Sequence, residues 1–117
     1  MSLKKGFDAE DLACQYLLAQ GLIWKARNYR ARMGEIDLIM ADNTHLVFVE
    51  VRARAGDAYG TALESVTISK QRKIMKVAAY YLQSHRLWDH HPCRFDVVTV
   101  QGTPPTIDWI PNAFGML

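Results

Sequence analysis

Glu50 stands in "LVFVEVRAR", Leu46 to Arg54, an acid inside a run of apolar strand formers, with Arg52 and Arg54 just after it. Burying a carboxylate in a sheet costs about a few kcal/mol or more unless it is paired or bound to a cation. Asp37 poses the same question in "GEIDLI". Strand side chains alternate, so Leu46, Phe48, Glu50 and Arg52 share one face of their strand, while Val47, Val49 and Val51 take the other. Glu35, Asp37 and Ile39 share a face of the preceding strand by the same rule. An even loop between the two strands, either Asp42-Asn43 alone or Ala41 to Thr44, sets Asp37 opposite Phe48 and diagonal to Glu50. Both acids then reach one cation, whereas an odd loop would separate them. A third acid comes from the first helix. Asp8, Asp11, Gln15 and Lys4 fall on one polar arc there, but Glu10 falls between Cys14 and Leu17, on the apolar arc with Phe7 and Ala13. Two sheet acids, one helix acid and an arginine one strand repeat beyond Glu50 suit a hard cation with a phosphate clamp. Mg²⁺ (or Mn²⁺) takes oxygen ligands and keeps waters for substrate and nucleophile. Two blander readings stay open: a Glu50–Arg52 salt bridge, and a Glu10 that reaches out to solvent along its stem.

The elements that must position these residues follow from hydrophobic period and turn signals. Lys5 to Gln20 reads as a helix ended by Gly21. Leu22 to Tyr29, Glu35 to Ala41 and His45 to Arg52 read as strands, separated by "RARMG" and by a turn around "DN". Ala53 to Thr61 is a Gly-containing loop. Ile68 to His85 is a long helix with Ile74, Met75, Ala78 and Leu82 at helical spacing. "LWDHHP" is a loop, Arg94 to Val100 a strand, and a further short strand over Ile107 to Ile110 is left open. The order α-β-β-β-α-β predicts an α/β fold with a mixed sheet and a helix on each face.

The chain has 117 residues and is 50% hydrophobic, the profile of a single domain over residues 1–117 that buries a core without staples. A net charge of +2 is too small to imply a nucleic-acid partner by itself. Its distribution says more, because the basic residues cluster: Lys25, Arg27, Arg30 and Arg32; Arg52 and Arg54; Lys70, Arg72, Lys73 and Lys76. Each cluster suits a phosphate backbone or a plain solvated surface. Two cysteines, Cys14 and Cys93, make no disulfide framework. The N-terminal "MSLKKGFDAED" lacks an apolar signal core and no apolar run approaches spanning length, so a cytoplasmic protein with no membrane association is expected.

Other chemistry-bearing residues read as structural. His85, His90, His91 and Cys93 match no zinc template. Cys14 lies on the apolar helix arc. Asp96 is expected to pair with Arg94 or a neighbour. Trp24, Trp88 and Trp109 are scattered and read as packing residues, while Tyr59 lies in the loop after Arg54, within reach of a substrate.

The stretches "AEDLACQYL", "RNYRARMGEIDLIM", "LVFVEVRAR", "SVTISKQRK" and "RFDVVTV" together resemble the YraN-like family of small bacterial proteins. That family is grouped with restriction-endonuclease-like, Holliday-junction-resolvase-like nucleases. The resemblance implies a restriction-endonuclease-like fold with core order αβββαβ and metal-dependent hydrolysis of phosphodiester bonds in nucleic acid, with DNA, branched or structured DNA included, as the expected substrate. The nuclease signature is an Asp, a gap, then acid-x-Lys. On it Asp37 is the first acid, Glu50 the second, and Arg52 stands where the lysine belongs. Glu10 matches the first-helix acid of the resolvase-like branch, and Lys70 and Gln71 match the polar residues opening the second core helix. The implied metal ligands are Asp37, Glu50 and the Val51 carbonyl. The implied catalytic set is Glu10, Asp37, Glu50, Arg52 and Gln71. Arg27, Arg30, Arg32, Arg54, Lys70, Arg72 and Lys73 would grip the nucleic-acid backbone, and a homodimer is a candidate assembly. Two departures stand out: Ala9-Glu10 where the family reads Gly-Glu, and Arg52. Arginine binds phosphate bidentately but stays protonated, so it is no base. The alternative is a non-catalytic nucleic-acid-binding module with a degenerate nuclease site.

Overall fold

The computed structural model describes residues 5–54, 66–87 and 92–115, without the side chains of residues 5–8 and 54. Lys4, Tyr59, Trp88, His90, His91 and most of the loop after Ala53 therefore lie outside the described residues, as do the side chains of Phe7, Asp8 and Arg54. The elements are α1 (Lys5–Ala19), β1 (Ile23–Ala31), β2 (Gly34–Ala41), β3 (Leu46–Arg54), α2 (Ile68–Ser84), β4 (Cys93–Gln101) and β5 (Thr106–Phe114).

Gly21 ends α1 as its type predicts. With φ +100 it occupies the left-handed region, while Gly21 N–H donates to Leu18 O at 3.0 Å and Leu22 N–H to Leu17 O at 3.1 Å. Those two bonds make a Schellman motif. Thr67 caps α2, its hydroxyl accepting from Lys70 N–H at 3.2 Å.

The strands form one five-stranded sheet in the order β1-β2-β3-β4-β5, antiparallel except for the parallel β3–β4 pair that α2 connects. This is the α/β, restriction-endonuclease-like arrangement expected, with the open fifth strand present and longer, Thr106–Phe114. It runs through Pro111 because β5 is an edge, where a missing N–H costs no ladder bond. α1 packs Ala13 and Leu17 against Leu38, Met40, Val47, Val49 and Val98. α2 packs Ile74, Val77, Ala78, Tyr81 and Leu82 against Ile39, Leu46, Phe48, Phe95 and Val97 on the opposite face. The alternation predicted for β3 holds: Val47 and Val49 face α1, Leu46 and Phe48 face α2.

The β2–β3 register differs from the one expected. Pairing runs from Ala41↔Leu46 to Leu38↔Val49, so the loop is Asp42 to His45. The Asp42 carboxylate accounts for this. It accepts from Thr44 N–H at 2.8 Å and His45 N–H at 2.7 Å, and the residue opposite Ala41 is Leu46 where a two-residue turn would place Thr44. Asp37 therefore does not face Phe48, which pairs with Ile39, and the pairing ends at Leu38↔Val49, one step before Asp37. The loop length is still even, so the two acids stay together.

Candidate active site

The site lies where the first residues of β2, the last residues of β3, α1 and the start of α2 meet. β2 departs from simple alternation here. Ile36 and Ile39 both join the α2 cluster, whereas Leu38 joins the α1 cluster. A two-residue period cannot do this without an irregularity around Asp37. On the neighbouring strand, Asn28 lies between the residues paired with Leu38 and Ile36 and has φ +51. Asparagine tolerates this left-handed conformation better than most residues. Such local irregularities re-aim side chains, and here they gather acids.

Carboxylate oxygens of Glu10, Glu35 and Asp37 lie within 4.8 Å of one another, the one such cluster of potential metal ligands among the described residues. Asn28 ties two of them: its side-chain amide donates to Glu10 Oε1 at 3.1 Å and Glu35 Oε2 at 3.0 Å. Arg27 holds Glu10 at 3.3 Å and Asp11 at 2.6 Å, and Arg30 holds Glu35 at 2.9 Å. On the other side of Asp37 is Glu50, only 6% exposed. Its Oε2 lies 3.6 Å from Arg52 Nη1 and 3.4 Å from Lys70 Nζ. Glu50 thus has the salt bridge to Arg52 that the bland reading allowed, and a second cation from α2 besides.

Asp37 links the two halves. Its Oδ2 accepts from Val51 N–H at 2.8 Å. Burial, reinforced by the charge of Glu50 and more weakly by that of Glu10, pushes its carboxyl up from 3.8 to about 8, despite the Val51 hydrogen bond that favours the anion. A carboxyl in this range is protonated at neutral pH until a cation offsets the surrounding negative charge. Desolvation and like charge of this kind mark functional sites more often than structural ones.

The structure thus brings Glu10, Asp37, Glu50, Arg52 and Lys70 together. Gln71 is half-buried, and its side chain donates to Val66 O at 3.0 Å, pinning the chain that enters α2. Arg30, Arg32, Arg72 and Lys73 are exposed, while Arg27 is spent on Glu10 and Asp11. Glu35 joins from the strand face it shares with Asp37, and Asn28 is a site residue that the motifs do not point to. An asparagine inside a predicted strand is the signal for the latter, since strands disfavour it and positive φ does not. Away from the site, His85 stacks on Tyr81 with ring centroids 4.1 Å apart, and burial raises the Cys93 thiol, so both serve packing. No helix among the described residues is long and apolar enough to cross a membrane.

The model of the Uncharacterised protein family UPF0102 matches residues 9–100. The chain is 47% identical over 117 residues to a UPF0102 protein of Pseudomonas paraeruginosa, covering 97% of this chain and 94% of the relative. It is 50% identical over 115 residues to one of Stutzerimonas stutzeri, covering 97% and 96%. A UPF0102 protein of Legionella pneumophila is 45% identical over 114 residues, with 97% of each chain covered.

Proposed function

The chain belongs to the UPF0102 family, and we propose that it is a cytoplasmic, Mg²⁺- or Mn²⁺-dependent endonuclease that hydrolyses phosphodiester bonds in structured DNA. The observation that carries this reading is the convergence of Glu10, Glu35 and Asp37 within 4.8 Å, with Glu50 pressing its charge on Asp37 from the other side. All-oxygen donors and a crowded set of carboxylates fit a hard divalent cation, which would relieve the repulsion that raises the Asp37 pKa. Asp37 and Glu50, with the Val51 carbonyl, would hold the ion, and Glu10 and Glu35 would complete its surroundings on the α1 side. When bound, such an ion polarises a phosphoryl oxygen and lowers the pKa of a water.

The chain's own residues supply the rest. Glu10 accepts a hydrogen bond from the attacking water and orients it. Arg52, half-buried and permanently charged, stabilises charge developing on the phosphate. Lys70 approaches the same carboxylate from α2 and adds a second cation there. Arg30, Arg32, Arg72 and Lys73 grip the backbone without reading sequence. A homodimer would present two such sites to a two-fold junction.

The test is Mn²⁺-dependent cleavage of branched and linear DNA by the native chain, Asp37→Ala and Glu50→Ala. The expected loss is about 10²–10³-fold or more in each variant; equal cleavage by all three would point to a contaminant. The second reading, a binding module without turnover, rests on Arg52 in the lysine position. If Arg52→Lys cleaves and the native chain binds DNA without cleaving it, that second reading holds.

A further inference from the structure

The β1–β2 hairpin carries a feature the acid cluster does not use. Ala31 pairs with Gly34, so Arg32 and Met33 alone form the tip. Both are exposed, Met33 to 38%, and Arg30 just below them is 79% exposed along its side chain. The shaft of the same hairpin carries Asn28 and Glu35. Two residues span at most about 7 Å, so the Met33 backbone stands no farther than that from the backbone of Glu35, a member of the acid cluster. The tip is braced as well as exposed. A Cβ on Gly34 would lie 3.5 Å from Val77 Cγ2 and 3.9 Å from Lys73 Cβ, which seats the turn against α2. Lys73 is exposed there, so the apolar tip has basic neighbours from its own hairpin, Arg30 and Arg32, and from α2.

Apolar side chains, methionine among them, open nucleic-acid base steps when basic neighbours hold the flanking phosphates. A thioether on an unbranched stem adapts to an irregular gap. We propose that Met33 is a wedge that inserts into an already weakened base step, at a junction or a break in pairing, while Arg30 and Arg32 hold the flanking phosphates. The inference rests on the nuclease reading above and narrows its structured DNA to one feature, an easily unstacked step beside the scissile phosphate that Met33 would enter. A continuous duplex is the poorer ligand, because opening an intact step costs more.

The experiment uses a four-way DNA junction and a linear duplex of the same composition, each with 2-aminopurine at a central step, in Ca²⁺ to prevent turnover. The native chain should raise the junction's fluorescence on binding and prefer junction to duplex. Met33→Ala should lose the fluorescence rise and about tenfold of that preference. Met33→Leu, which keeps an apolar wedge, should retain both. Melting temperatures of the variants check that each is folded. Met33→Ala unstacking the junction as the native chain does would overturn the wedge and leave the nuclease reading standing. A native chain that binds neither DNA would overturn both.

Discussion

Asp96 on β4 is fully buried, and its carboxylate accepts from Arg94 Nε at 3.0 Å, Trp109 Nε1 at 2.9 Å and Asn112 N–H at 2.9 Å. Arg94 reaches on to Asp42 at 2.9 Å, so the network ties β4 to β5 and to the β2–β3 loop. Asp37, two strands away on β2, receives Val51 N–H and otherwise faces the carboxyl groups of Glu10, Glu35 and Glu50. One acid is surrounded by donors, the other by acids. A buried charge with its hydrogen bonds complete holds a fold together. A buried acid crowded by like charge destabilises the fold unless a ligand completes it, and proteins keep that arrangement where it serves chemistry. On the proposed function, Asp96 serves architecture and Asp37 the site, although both sit in strands and both look costly in the sequence.

Substitution separates the two most sharply. Asp96→Ala leaves Arg94 Nε, the Trp109 indole N–H and the Asn112 N–H without their acceptor, with Asp42 the remaining acid on Arg94. It should destabilise the chain by about 3–5 kcal/mol in a denaturant titration. Asp37→Asn should leave the metal-free protein at least as stable as the native chain, because it removes the acid that the site disfavours. Equal losses at both positions would erase the contrast.

The pH dependence follows from the same asymmetry. Asp37 titrates near 3.8 in the unfolded chain and is raised to about 8 in the folded one. Between those values the folded protein keeps a proton that the unfolded chain has released. The Asp37 contribution to metal-free stability should therefore fall as pH rises from about 4 to 8 and level off above. Melting temperatures across that range should show the slope in the native chain and lose it in Asp37→Asn. The opposite slope in the difference between the two would mean that the burial of Asp37 is relieved in some other way.

A smaller effect is expected at Asn28. Asn28→Gly keeps a residue at ease with φ +51 but removes the amide that bridges Glu10 and Glu35. Mn²⁺ affinity should weaken by about tenfold, the usual scale for a group that orients ligands, with the melting temperature little changed. No change in affinity would make the bridge a surface contact.

Much of this was legible beforehand for identifiable reasons. The alternation in "LVFVEVR" placed Glu50 on the α2 side with Phe48, because a strand buried on both faces has little freedom to rotate. The helical count set Glu10 beside Ala13 and Leu17, but it also separated Glu10 from Asp11, and the structure brings both to Arg27. Gly21 ended α1 because a left-handed cap needs its missing Cβ. The Arg94–Asp96 pair was foreseen from its spacing, but not its Trp109 and Asn112 partners, which come from an edge strand left open. The β2–β3 register was missed because the Asp42 side chain joins the backbone in closing the loop, accepting from Thr44 and His45 N–H. The break in alternation around Asp37 was missed because nothing in "GEIDLI" marks it, and the neighbouring Asn28 at φ +51 lies on another strand. Arg27 looked like a free basic residue until α1 folded over it and supplied Glu10 and Asp11. Periodicity reads which face a residue takes; it does not read which partner waits there.

The central claim is that the Asp37–Glu50 region is a divalent-cation site completed by Glu10 and Glu35. Calorimetric titration of Mn²⁺ into the native chain, Asp37→Ala and Asp96→Asn tests it most directly, with a melting curve for each. Saturable binding in the native chain and in folded Asp96→Asn, absent in Asp37→Ala, is the predicted result. Binding in Asp37→Ala equal to that of the native chain would contradict the account.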